Sequence, residues 1–381
     1  MAVLAGAALG AACDAGTFRV DPATQPAAPL RLLGANVGTN VRLPANGVIQ
    51  LAFDRYLLPG TETRQSAVLT AVGGGSVTPA IVTYDPVTRV VSLASPNGEG
   101  APWLTKDQSY KLTLPVPTEE NPGFGLRAID GAPLAEPVTI QFVVGDPSPK
   151  SSAPPQVSFC DDVAPLLEKK CGGNTCHGGS ASAAAGLVLT TGVGLGATAF
   201  RVAQGANTGG ASQAGSGASP NDPRRPFGID MPIISPKNPG QSWLLYKVLL
   251  APLPTVEVTP KPFVCGATTR PPLAGFTLPA NATPAPSDAE LAVLRDHVLG
   301  VEMPFPAPGF VPPNDANRPL TFDERETLSL WIAQGASVFS CGACSPKSEG
   351  DGGVDASSDA QPVDAGQDAP VQDASRDAGT D

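Results

Sequence analysis

The sequence predicts a multidomain chain: an all-β sandwich over 29–145, a mainly α domain with long loops over 157–344, and a disordered acidic tail over 345–381. Three observations carry this reading. Apolar residues alternate with polar ones in the first part, the signature of half-buried strands. In the second they recur at helical spacing behind capping signals. The composition, with 43 prolines, 42 glycines and only 15% charged residues among 381, favours short elements joined by irregular connections.

The elements follow in chain order. Residues 1–13, "MAVLAGAALGAAC", form an apolar, small-residue run ending at Cys13. It resembles the end of a bacterial lipoprotein signal, in which the cysteine after small residues is lipidated. That resemblance implies a lipid on Cys13, membrane attachment through it, and a periplasmic or surface-exposed place in the cell envelope. A Pro/Ala-rich spacer fills 14–28. Strand signals then come in sequence: "VIQLAF" puts Ile49, Leu51 and Phe53 on one face, "YKLTLPV" repeats the pattern with Tyr110, Leu112, Leu114 and Val116, and "VTIQFVV" with Val138, Ile140, Phe142 and Val144. Turn signals separate them, "PANG", "YDPVT" and "IDGAPL", and about seven short strands at this spacing suggest a sandwich.

"DPSPKSSAPP" makes 146–156 a linker. Beyond it, "CDDVAPLLEKKC" reads as a helix with Asp161 or Asp162 as N-cap and Val163, Leu166 and Leu167 as its apolar stripe. "SDAELAVLRDHVL" opens with a capping box, Ser287 with Glu290, and carries Leu291, Leu294 and Val298 on one face. "TFDERETLSLWI" opens with another, Thr321 with Glu324. A shorter helix is expected near 242–250. Two low-complexity insertions, 203–225 and 251–285, interrupt this domain.

The net charge is −11, which argues against nucleic acid as a partner. Most of that charge lies in the tail, where eight aspartates and Glu349 face only Lys347 and Arg376. The tail's Asp–Ala repeat lacks the loop geometry of a calcium site and offers nothing to a core. Seven cysteines in a polar, Pro/Gly-rich chain suggest an oxidising compartment.

Chemistry concentrates in "KKCGGNTCHGG". Haem c needs two thiols for thioether bonds and a nearby imidazole for the iron, so Cys171, Cys176 and His177 are the candidate set. Four residues separate the cysteines, and "GGNT" can form the bulge this requires, since Gly172 and Gly173 reach positive φ and Asn174 tolerates it. The competing reading is a Cys171–Cys176 disulfide with His177 a bystander. Zinc is disfavoured, because the chain has only two histidines and no second Cys/His pair. A haem iron also takes a sixth ligand, often methionine; Met231 and Met303, each followed by proline, are the candidates, with His297 as an outsider. The four other cysteines, Cys160, Cys265, Cys341 and Cys344, are expected in two structural disulfides of open connectivity, with Cys160 reaching Cys341 or Cys344. "CGAC" at 341–344 has no following histidine and no βαβ context, so neither a second haem nor a thioredoxin-type site is expected there.

Two family resemblances rest on these motifs. The order "IQLAFD", "VTYDPVTRVVSL", "LTKDQSYKLTL", "DGAPL" and "FVVG" resembles the bacterial SbsA-type Ig-like module, a spacer or adhesive unit without catalytic residues. From 159 to 336, "DVAPLLEKKC", "CHGG", "AAGLVLTT", "ISPKNPGQSWLLYKVL", "MP" and "PLTFDERETLSLWIAQGA" resemble the planctomycete-type cytochrome c domain of envelope lipoproteins. That resemblance implies one covalent haem on Cys171 and Cys176, His177 as proximal ligand, Met303 as distal ligand with Met231 its rival, and an electron-transfer role with an envelope redox partner. Nothing resembles a catalytic nucleophile or acid–base pair, so a carrier rather than an enzyme is expected. The alternative is a non-haem cell-surface structural or adhesive protein with a disulfide-stabilised, degenerate cytochrome domain.

Overall fold

The structure is a computed structural model that describes residues 28–74, 76–118, 120–121, 123–148, 156–172, 176–178, 186–200, 203, 231–254, 286–298, 302–304 and 319–338. Its β part contains eight strands among these residues: β1 (Leu32–Ala35), β2 (Arg42–Pro44), β3 (Ile49–Phe53), β4 (Val68–Ala71), β5 (Ile81–Asp85), β6 (Val90–Ala94), β7 (Ser109–Leu114) and β8 (Val138–Gly145). They form two four-stranded sheets, ordered β1-β3-β6-β5 and β2-β8-β7-β4. All pairings are antiparallel except β2 with β8.

One core lies between the sheets. Ile49, Leu51 and Phe53 point into it, as the alternation predicts, and meet Leu69, Leu93, Leu112, Leu114, Phe142 and Val144. Tyr110 stacks on Phe142 at 5.9 Å, an aromatic cross-strand pair that fixes the β7–β8 register. Val116 falls beyond β7, and Val138 and Ile140 are only half-buried, so the alternation overreaches at the strand ends. The expected turns are present. Gly47 donates to the Pro44 carbonyl at 2.7 Å, and Gly131, at φ 87°, donates to Ala128 at 2.8 Å.

Among the described residues, the C-terminal part has α1 (Ala164–Cys171), α2 (Gly192–Thr198), α3 (Trp243–Leu249), α4 (Asp288–His297) and α5 (Phe322–Ala333). A π-helical turn, Phe159–Val163, leads into α1. The N-cap here is Ser158, not Asp161 or Asp162: its hydroxyl accepts from Asp161 N–H at 3.2 Å, and Asp162 Oδ2 accepts from Ser158 N–H at 2.8 Å. The two aspartates instead fill the first turn, where their charge favours the exposed N–H groups. Helix α2 was not foreseen, because its three glycines argue against a helix; Thr191 supplies the cap, accepting from Gly194 N–H at 3.0 Å.

The two capping boxes behave differently. Around α5 the box is complete, with Thr321 and Glu324 each accepting from the other's N–H. At α4, Ser287 accepts from Glu290 N–H at 3.2 Å, but the Glu290 carboxylate turns away. It accepts from Arg55 Nε at 3.0 Å and from Tyr56 N–H at 2.9 Å in the β part.

That diversion marks a joint between the parts. Arg55 also grips Asp130, through 2.6 and 3.2 Å bonds, and the Ala28 carbonyl. Ser329 of α5 donates to Asp85 at 2.7 Å. A Cβ on Gly240 would meet the Tyr84 ring at 2.9 Å, so the turn Pro239–Gln241 lies directly on that tyrosine. Tyr56, Leu58, Val87 and Ile129 of the β part belong to the same apolar cluster as Phe159, Leu167, Tyr246 and Trp331. The C-terminal part therefore completes its core with residues of the β part.

Candidate functional site

Helix α1 ends on Cys171, and the chain then turns tightly. Gly172 donates to the Glu168 carbonyl at 3.1 Å. A Cβ at Gly172 would collide with that same oxygen and would lie 2.8 Å from Thr190 Cγ2. Glycine is needed here for close approach, at φ −84°, rather than for a positive φ.

Three hydrogen bonds then hold His177 between the end of α1 and the 187–189 segment. Its N–H donates to the Cys171 carbonyl at 2.9 Å, and its own carbonyl accepts from Leu189 N–H at 3.0 Å. Its ring Nδ1 lies 3.2 Å from the Leu187 carbonyl. A carbonyl can only accept, so the Nδ1 proton points there, and in the neutral ring the lone pair falls on Nε2. A metal-ligating histidine characteristically has this arrangement, its other ring N–H donated to a carbonyl or carboxylate.

Cys171 and Cys176 are both free thiols, the first buried and the second exposed. Burial, reinforced by the nearby Cys176, pushes the Cys171 thiol up to about 12, with Lys170 opposing weakly. The Lys170 ammonium is buried, 3.9 Å from Glu324 Oε2. That contact brings the end of α1 beside the start of α5. The structure thus brings Cys171, Cys176 and His177 together, and two cysteines beside an imidazole are the residue types that hold haem c.

The sixth-ligand candidates come from other segments of the C-terminal part. Met303 is half-buried against the C-terminal core, and its N–H donates to the Lys247 carbonyl in the last turn of α3 at 3.2 Å. Burial pulls the Lys247 ammonium down to about 8, against the pull of Glu302. Met231 is wholly buried, its carbonyl accepting from Ala203 N–H. His297 is buried in the last turn of α4, with Nδ1 3.0 Å from the Val293 carbonyl one turn back. Among the described residues no group of three His, Cys, Asp or Glu side chains is placed to hold a metal ion.

Cys160 is disulfide-bonded, whereas Cys13, Cys265, Cys341 and Cys344 lie outside the described residues. So do the tail and, apart from residues 203 and 251–254, the two insertions. No described helix is long and apolar enough to cross a membrane. Sequence reasoning missed the Leu187 carbonyl, the Lys170–Glu324 contact and the Arg55–Glu290 joint. None of these has a local signal, because each joins segments apart in the chain.

No family model matches the chain, and no curated protein matches it. Among solved structures, the N-terminal part of the bacterial S-layer protein SbsC aligns at 12% identity, covering 32% of this chain and 25% of that one, with a TM-score of 0.23. Domains 1–6 of SbsC align equally, covering 15% of that chain. The alpha-2-macroglobulin of E. coli aligns at 14% identity over 31% of this chain and 6% of that one, also at 0.23. The matched part spans a quarter or less of these structures' own lengths, and a TM-score this low carries no argument.

Proposed function

We propose that this chain is an exported c-type cytochrome-like protein that binds one haem covalently and passes single electrons in the cell envelope. The observation that supports it best is the His177 site: a histidine whose Nδ1 is committed to the Leu187 carbonyl, flanked by two free thiols. On this reading the β part is an Ig-like module, and the C-terminal part is a cytochrome c-like domain.

The chain's own residues would act as follows. Cys171 and Cys176 would hold the haem through thioether bonds, and His177 would supply Nε2 to the iron, its ring oriented by the Leu187 carbonyl. Met303 would supply the sixth ligand, with Met231 as its rival. Haem supplies reversible one-electron chemistry at its iron. Leu187, Leu189, Trp243, Leu245 and Trp331, buried in the same apolar cluster as Cys171, would supply the apolar surroundings that keep water from the haem. A lipid on Cys13 would anchor the chain to a membrane, and the electron partner would be another envelope protein. The role is that of a carrier, not a catalyst.

The test is export of the full chain alongside a cytochrome c maturation system, followed by a pyridine haemochrome spectrum. The expected result is a c-type spectrum that survives denaturation and is lost in Cys176→Ala. Absence of haem, with Cys171 and Cys176 joined to each other, would favour the structural, non-haem reading.

A further inference from the structure

The joint between the two parts contains an acid whose partners do not satisfy it. Glu62 follows the 55–58 segment that delivers Arg55, Tyr56 and Leu58 to the C-terminal part. The residue as a whole is half-buried, but its Oε2 is sealed from solvent and has no hydrogen-bond partner. The carboxylate faces the backbone N–H groups of Glu62, Gly60 and Thr61 and, from the turn Pro239–Gln241, the Gln241 side chain. From α3 it faces the Tyr246 phenol, which feels its charge. Sealing a charge with one oxygen unbonded is costly, and a neutral carboxyl there is much less so.

We propose that Glu62 is a proton-operated latch between the β part and the C-terminal part. Protonated, it sits in the sealed joint and keeps Gln241 and α3 against the β part. Ionised, it carries a charge that no cation among the described residues answers, and the joint loosens.

Burial pushes the acid up to about 7, and the hydrogen bonds from Glu62, Gly60, Gln241 and Thr61 only partly offset this. A carboxyl raised in the folded state leaves its stability contribution intact below the ordinary value, and loses it as pH climbs through the raised one. The latch is therefore closed in mild acid and released above neutrality. Glu290, also raised by burial but held by Arg55, shares the joint, so a variant must separate the two acids. Burial raises Tyr56 to about 12 and holds Tyr84 and Tyr246 well above the ordinary phenol value, and Arg325 is lowered only to about 10. None of these titrates near neutrality. Lys247 on α3, lowered by burial to about 8, does titrate just above it, but a lowered lysine gains stability as pH rises there, the opposite sign to Glu62.

The test is hydrogen–deuterium exchange of the full chain from pH 5.5 to 8.5, corrected for intrinsic exchange. Residues 57–66 and 239–249 are compared with the interior of β3 and β6. The expected result is that joint opening grows about thirtyfold across the window, while the sheet interior does not change. Glu62→Gln should keep the joint protected at every pH. Constant joint protection in the wild type, or an undiminished pH response in Glu62→Gln, would overturn the latch. If Glu62→Gln does not fold, the wild-type series decides alone by the same criterion. The outcome does not depend on haem.

Discussion

The β part and the C-terminal part build their cores in different ways. The β part closes one core between its own two sheets, from Leu30 to Val144. The C-terminal part gathers short helices around a cluster that includes Tyr56, Leu58, Val87 and Ile129 from the other part. A sheet pair with alternating strands can bury its apolar face within itself. Helices of seven to twelve residues joined by long connections leave faces that need an outside partner. The β part therefore both closes its own core and lends residues to its neighbour's.

The sharpest way to break this contrast is to separate the parts. Residues 28–148 expressed alone should give a cooperative thermal transition and dispersed amide resonances. Residues 156–345 alone should give neither, since four of their core residues are missing. A folded 156–345 fragment would contradict the shared core.

Arg55→Met comes next. It leaves Glu290 and Asp130 buried without their cation, and removing one partner of such a set costs about 3–5 kcal/mol. Urea unfolding of the full chain should show that loss. Glu290→Gln should cost less, because Arg55 keeps Asp130 at 2.6 Å. A smaller effect is expected at the caps. Thr321→Ala and Ser287→Ala should each cost about 1 kcal/mol, and only at Thr321 should removing the box glutamate add to the loss at the cap. At α4 the glutamate serves the joint, so Glu290→Ala should change exchange at Arg55 and Tyr56 more than at Ser287.

The smallest effect on stability, but an informative one for the site, is thiol reactivity before any haem is attached. Cys176, exposed, should be alkylated rapidly at pH 8. Cys171, buried and raised to about 12, should react only after unfolding. Equal reactivity of the two would contradict the geometry at the end of α1.

What the sequence made legible follows the range of the forces involved. The inward faces of β3 and β7 were readable because alternation is local. The Thr321–Glu324 box was readable for the same reason. The Ser287–Glu290 box was read correctly for its serine and incorrectly for its glutamate, because Arg55, 235 residues away, competes for the carboxylate. Helix α2 was missed because three glycines outweighed its cap. The Cys171, Cys176 and His177 cluster was legible as a motif, but the carbonyl that orients His177 comes from Leu187, ten residues on, in a segment with no signal of its own.

The most direct measurement is peptide mass mapping of the full chain exported with a cytochrome c maturation system. Cleavage after Lys170 and Arg201 releases residues 171–201, which contain both thiols and His177. The account predicts that this fragment carries the mass of one haem, with neither thiol open to alkylation. A fragment without haem, its two cysteines joined or free, would contradict it.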